Sequence, residues 1–278
     1  MSEAAGGPEG GGPWQEPAQA AWYEDFCARH GMYAEVARAA ALALAPAPDA
    51  RVLDLGSGTG VSTLALLEVL GPTGRVVGVD PARRMVEAAR RRVSDARARF
   101  VLGEAGPLLA RGEGPFDAAL ASSMIWLCEP LDDALVGLRR ALQPGARALF
   151  TVPSEYLGEV DHLTAPAARG LHAALAGLRA GAGASMPRPA RAEGLDSFAS
   201  FGARLRAAGF EAPAASSWSR MSPPDEQRDW WGQPVVLAGL LGTADAGAHE
   251  RARQALDEAL RRAPALEQRW TLVVAEAR

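Results

Sequence analysis

A strand that runs into closely spaced glycines and leaves them as a helix has few folds open to it. Residues 52 to 60 read Val-Leu-Asp-Leu-Gly-Ser-Gly-Thr-Gly. Val52, Leu53 and Leu55 form a short apolar run, as expected of a strand buried on both faces. Gly56, Gly58 and Gly60 follow at a spacing of two. Val61, Leu64, Ala65, Leu67 and Leu70 then open an apolar helical pattern. Glycines in such a turn let the backbone take positive φ and come close to a ligand. Free N–H groups at the helix start, together with Asp54, offer complementary polar contacts.

Dinucleotide-binding turns read Gly-x-Gly-x-x-Gly. This turn is Gly-x-Gly-x-Gly, with an acid two residues before the first glycine, and it resembles motif I of the class I S-adenosylmethionine (SAM) methyltransferases. Three further blocks follow in that family's order. Arg75 to Asp80 reads as a second strand ending in an acid, which suits a ribose diol because a carboxylate accepts two hydrogen bonds. Phe100 to Ala105 is similar to strand three and the turn beside the adenine. Phe116 to Met124 is similar to strand four and the active-site loop, and Leu142 to Phe150 to the turn into strand five. The resemblance covers about residues 50 to 153. It implies an α/β fold, a Rossmann-like, doubly wound, mostly parallel seven-stranded sheet with helical lid insertions. It also implies an enzyme that uses SAM and releases S-adenosylhomocysteine.

The chain alternates strand and helix beyond the turn, as a right-handed parallel sheet requires. Residues 1–17 are rich in Gly, Pro and Glu and are expected to be mostly disordered. Residues 18–45 read as lid helices with a break at His30-Gly31, and 46–278 as the SAM-binding domain. Helices are expected at about 82–98, 165–180, 197–208 and 247–263. Strand six is expected at 210–220, and a seventh, antiparallel strand closes at 270–275. Two departures from the alternation, at about 154–195 and 222–245, are expected as lid insertions over the carboxyl ends of the strands, where open α/β sheets bind ligands.

Composition narrows the chemistry. All 29 basic residues are Arg; the chain has no Lys and no Asn. A lysine nucleophile is thereby excluded, and so are the Asn-containing motifs of catechol-type metal sites. Four dispersed His show no metal-ligand spacing, so no metal is expected. The formal net charge of −4 argues against a general nucleic-acid binder. The arginines at 83 to 99 read as a solvated helix face. Cys27 and Cys128 are too few for a disulfide framework. With no apparent signal peptide and no long apolar run, a cytoplasmic chain without membrane segments is expected. Homodimer formation is left open.

Carried onto this sequence, the resemblance assigns Asp54, Gly56, Ser57, Gly58 and Gly60 to the amino-acid part of SAM, and Asp80 to its ribose. It assigns Pro81, Met85, Glu104 and Ala105 to the adenine, and Ser122 to the sulfonium side. Met124 and Trp126, with Trp22, Tyr23, Tyr33, Tyr156, Trp230 and Trp231 of the lid regions, are the candidate acceptor-binding residues. Their aromatic character suits a flat or apolar small molecule, and it equally suits anchoring lid helices to the core. No general base stands out; His30, Tyr33 and His162 are the candidates. A small-molecule acceptor, of the specialised-metabolite kind, is the leading reading. A protein or nucleic-acid methyltransferase, and a SAM-fold protein with other chemistry or a regulatory role, are the alternatives.

Overall fold

The computed structural model describes residues 14, 16–104, 114–161, 169–181, 195–243, 245–261 and 263–278. Two N-terminal helices, α1 (Pro17–Arg29) and α2 (Met32–Leu44), precede the first strand. The elements that follow are β1 (Arg51–Leu55), α3 (Val61–Val69), β2 (Arg75–Asp80), α4 (Arg83–Arg92), β3 (Ala98–Leu102) and β4 (Phe116–Ser122). Then come α5 (Leu131–Ala141), β5 (Leu142–Pro153), α6 (Arg169–Gly181), α7 (Phe198–Ala207) and β6 (Phe210–Ser222). Helices α8 (Pro224–Trp231), α9 (Pro234–Leu241) and α10 (Ala246–Leu260) lead into β7 (Leu266–Ala277).

The seven strands form one sheet in the order β3-β2-β1-β4-β5-β7-β6. Pairings among β1 to β5 are parallel. β7 pairs antiparallel with both β5 and β6. Strand order reverses between β1 and β4, which opens a crevice at their carboxyl ends.

Period-two alternation supplies both faces of the sheet. Leu53, Ala119, Phe150 and Val273 pack with α5 and α7 on one side. Val52, Leu120, Leu149 and Leu272 pack with α2, α3 and α4 on the other. α2 presents Val36, Ala37, Ala40, Ala41 and Leu44 at helical spacing, all buried against the sheet. The expected lid segment 18–45 is therefore divided. α2 belongs to the core layer because its apolar stripe is wide enough to bury, and only α1 lies over the strand ends.

The expected helix at 82–98 is also shorter than its periodicity suggested. Val93 turns into the core against the bare Cα of Gly60. Asp95 then accepts from the backbone and guanidinium of Arg97, which also donates to the Leu70 and Gly71 carbonyls. Arginines of this region are occupied locally: Arg91 meets Glu24 on α1, Arg84 meets Glu87, and Arg90 donates to the Phe100 carbonyl.

The two insertions contribute α6, α8 and α9, which pack with α10 around a separate apolar cluster that includes Leu171, Leu175, Leu237 and Leu256. This helical cap is fixed to the sheet by charge. Glu226 of α8 is buried and accepts from Ser222 Oγ at 2.5 Å and from Arg220. Arg220 in turn reaches Glu35 of α2 and Gln268 of β7. Among the described residues no helix is long and apolar enough to cross a membrane.

Phe150 is fully buried and meets Phe201 and Phe210 edge-on at 5.4 and 6.4 Å. Phe150→Ala is expected to lower unfolding free energy by about 3–5 kcal/mol. Urea denaturation measures it, and a loss under about 1 kcal/mol would contradict the packing described.

Candidate active site

The glycine turn is built by the register of β1 with β2. Both Gly56 N–H and Ser57 N–H donate to the Val79 carbonyl, at 2.8 and 3.0 Å. Gly56 has φ +66°, and a Cβ there would lie 2.5 Å from Met124 Cγ. Only glycine allows the loop after β4 to sit this close. Gly60, at φ +85°, needs its missing Cβ for packing. Its open side faces Val93 and Phe100, so it packs the turn onto α4 and β3.

Asp54 is fully buried, and its Oδ2 accepts from Ser62 Oγ at 2.8 Å and Thr63 Oγ1 at 2.6 Å. The carboxylate thus caps the side chains of the first turn of α3. Its Oδ1 has no partner, and neither do Ser57 Oγ and Thr59 Oγ1. Three buried polar atoms without partners in one turn favour a polar ligand there. Burial pushes the Asp54 carboxyl up to about 7, against the lowering effect of its two hydroxyl donors.

Asp80 ends β2 and is 8% exposed. Its Oδ2 accepts from Gly58 N–H at 2.9 Å and its Oδ1 from Ala82 N–H at 2.8 Å. Each oxygen keeps a second lone pair for a hydroxyl. Burial raises this carboxyl too, with the two backbone donors opposing it. Met85 is buried beside Ala82 and is covered by Ala20 and Tyr23 of α1 and by Trp14. Pro81 and Glu104 are exposed nearby in sequence, while Ala105 and His162 lie outside the described residues.

At the end of β4, Ser122 and Ser123 gather on Thr151 of β5. Ser123 takes φ +58°, and its N–H donates to Thr151 Oγ1 at 2.9 Å. That backbone turn throws Met124 over Gly56. Trp126, half-buried on the following short turn, meets Tyr156 edge-on at 5.3 Å.

α1 closes the crevice from above. Tyr23 Cε1 comes within 3.9 Å of the Cβ position of Gly58. Its ring lies 5.0 Å from Tyr33, and Tyr33 Oη accepts from Trp230 Nε1 at 3.3 Å. Trp22 stacks on Phe26, which packs against Tyr33. Tyr156 is near enough to Tyr33 to help raise its phenol, an effect dominated by burial. Tyr23, Tyr33 and Trp230 are therefore linked in one aromatic cluster beside the glycine turn, with Met124 on Gly56 and Trp126 against Tyr156. Trp231 meets Trp230 edge-on at 4.8 Å and packs with the leucines of the helical cap.

Sequence reading missed Thr151, Gln19, Gln233 and Asp229. Gln19 Nε2 donates to Gln233 Oε1 at 3.1 Å, tying α1 to α9. Asp229 accepts from His30 at 2.8 Å and also meets Arg29 and Arg228. These pairings span about 200 positions, so no local spacing announces them.

The raised Asp54 carboxyl has a pH consequence. Its folded value of about 7 exceeds the unfolded carboxylate range, so the folded state holds an extra proton between roughly pH 4 and pH 7. Its contribution is present below that window and is lost as pH rises through it. Thermal unfolding of the unliganded protein at pH 4.5 and 7.5 is expected to show this loss, and Asp54→Asn is expected to shrink it. An unchanged pH difference in the variant would assign the effect elsewhere.

A model of the methyltransferase domain family matches residues 52–145. Over 110 residues, 38% of this chain, the sequence is 34% identical to the arsenite methyltransferase of Halobacterium salinarum, covering 28% of that protein. Over 108 residues, 37% of this chain, it is 33% identical to the protein-L-isoaspartate O-methyltransferase of Methanothrix thermoacetophila, covering 48% of it. The chain thus matches less than half the length of either relative. The fold is similar to that of a putative methyltransferase solved with the Haloferax volcanii Trm112 activator, with TM-score 0.56 and 19% identity over 95% of this chain and 97% of that one. The glycine turn, the acid-ended second strand and the seven-stranded order thus lie on one frame, and its residues 52–145 match the methyltransferase domain family.

Proposed function

We propose that this protein transfers the methyl group of SAM to a small, flat, largely apolar acceptor, without a divalent metal and chiefly by positioning. One observation carries the reading: Tyr23 of α1 and Met124 of the β4 loop lie directly on the glycine turn, and the rings of Tyr33 and Trp230 continue that aromatic cluster through α2 and α8. A site that orders two reactants in line gains most of its rate from orientation and from excluding water. When bound, SAM supplies an electrophilic methyl on a sulfonium with a good, neutral leaving group.

The chain's own residues divide the remaining work. Asp80 receives the ribose hydroxyls on its free lone pairs. Asp54, Ser57 and Thr59 offer their unpartnered atoms to the amino-acid portion. Met124 and Tyr23, which rest on Gly56 and Gly58, shift to admit the cofactor and then border the reacting methyl. Tyr33, Trp126, Tyr156 and Trp230 supply apolar walls for the acceptor. α1 and the helical cap close over both. The acceptors of the two relatives, arsenite and a protein isoaspartate, differ from each other, so the acceptor class rests on the aromatic cluster alone. Aromatic rings gathered beside the glycine turn favour a flat small molecule over a polypeptide or nucleic acid.

Titration calorimetry on the full chain is expected to show binding of S-adenosylhomocysteine and none of NAD. Asp80→Ala is expected to weaken that binding about tenfold to a hundredfold, since hydrogen bonds to a charged group contribute about 1.5–3 kcal/mol. NAD binding in place of the homocysteine product would overturn the reading, and an unchanged affinity in the variant would remove Asp80 from it.

A further inference from the structure

We propose that the free edge of β6 pairs with the β6 edge of a second copy of this chain, antiparallel and about a two-fold axis at Ser217, so that two copies share one continuous sheet.

β6 is the last strand in the order β3-β2-β1-β4-β5-β7-β6, and among the described residues no strand lies beyond it. It has 13 residues, against 5 in β3 at the opposite edge. An edge strand presents a row of unpaired N–H and C=O groups, and folded chains blunt such rows with charge, proline, bulges or short length. β3 is short, and its Phe100 carbonyl accepts from the Arg90 guanidinium. β6 confines its protection to its first residues. There the register with β7 shifts between Glu211 and Ala214, Ala212 takes φ +45°, and Pro213 follows. From Ala214 to Ser222 the strand pairs with β7 without a break. Its alternate N–H and C=O groups therefore point outward in a regular row.

The side chains leave that row accessible. Ala214 and Ser216 are exposed on one face of the sheet, Ala215 and Ser217 on the other. Ser219 is exposed as well, and Met221 is 58% exposed. No residue from Ala214 to Ser219 is charged. The charges of the strand are engaged elsewhere. Glu211 pairs with Arg278, and Arg220 is turned to Glu35, Glu226 and Gln268.

These features select the partner. A strand-adding peptide is recognised by side-chain pockets beside the edge, and a run of alanine and serine supplies little to recognise. An acidic or basic surface finds no countercharge on the run. A second β6 fits, because about a two-fold each outward donor of one copy faces an outward acceptor of the other. An axis at Ser217 sets Ser216 opposite Trp218 and Ala214 opposite Arg220. Each large side chain then lies against a small one, and no like charges face each other. The run Ala214–Arg220 so paired exchanges about six main-chain hydrogen bonds. An interface confined to one strand and its neighbours is at the small end of specific interfaces, so the dimer dissociates on dilution.

β4, β5 and β7 stand between β6 and β1, the strand that enters the glycine turn. A two-fold normal to the sheet directs the partner's strands the opposite way. The two crevices thus open at opposite ends of the joint sheet, and neither copy completes the other's site. β6 also carries Arg220 and Ser222, which hold Glu226 of α8. Pairing therefore steadies the strand to which the helical cap is fixed.

Sedimentation velocity of the full chain over about 1–100 µM, the range of weak specific interfaces, is expected to show a monomer–dimer equilibrium. Ser217→Lys sets like charges against each other on the axis and is expected to raise the dissociation constant about fivefold. Its circular dichroism spectrum is expected to match that of the wild type, because Ser217 is exposed. Ser217→Glu is expected to weaken the dimer likewise, and an equimolar mixture of the two variants to restore it, since opposite charges then meet. If one variant fails to fold, the other alone must still weaken the dimer. A wild-type chain that stays monomeric over this range, a dimer unaffected by both variants, or a loss in both with no recovery on mixing overturns the proposal.

Discussion

Asp54 sits where a strand, a turn and a helix must agree, and it is buried with only half of its hydrogen-bonding capacity filled. Removing a carboxylate from water is expensive unless donors compensate. Ser62 and Thr63 provide two, and in doing so they set where α3 starts relative to β1. That start point brings Gly58 N–H onto Asp80 and leaves Gly56 open enough for the β4 loop to settle on it. The remaining deficit, at Asp54 Oδ1, Ser57 and Thr59, is tolerable in a site whose purpose is to take up a polar ligand. Local stability is conceded at the point where binding returns it.

The frame was readable because its signals are local. The spacing of Gly56, Gly58 and Gly60, the acids at the ends of β1 and β2, and the apolar runs all lie within a few residues of what they determine. The helix boundary at Arg92 was misread because the apolar Val93 fits a helical period as well as a turn against Gly60. The role of α2 was misread for a related reason: an alanine-rich stripe looks the same whether it covers a sheet or a cleft. Gly60 could not be told from Gly56, since spacing does not reveal which neighbour fills the space a Cβ would take.

The aromatic cluster was partly readable. Tyr23, Tyr33, Trp126, Tyr156 and Trp230 stood out as large, costly residues outside the shared core, and Tyr23, Tyr33 and Trp230 converge. What binds them together did not stand out. Asp229 is one acid among several on an exposed-looking helix, and Gln19 and Gln233 carry no motif. Their pairing is fixed by how the helical cap docks, which depends on the Arg220–Glu226 contact and on leucines from three separate helices. Tertiary docking of this kind leaves no periodic trace in either segment.

The position of α1 has a further consequence, in the time domain of synthesis. It precedes the sheet in the chain, yet Asp229 and Gln233, its partners, come some 200 residues later. While the sheet assembles behind it, α1 is held by the Tyr33 ring of α2, by Glu24 with Arg91 and by the Ala20–Met85 contact. Closing such a long loop is entropically slow, and until it closes the Trp22, Tyr23 and Phe26 face lacks the helical cap. The nascent chain therefore carries a sticky amphipathic helix for most of its translation. The face that later rests on the glycine turn is the same face that a ribosome-bound intermediate presents to its surroundings.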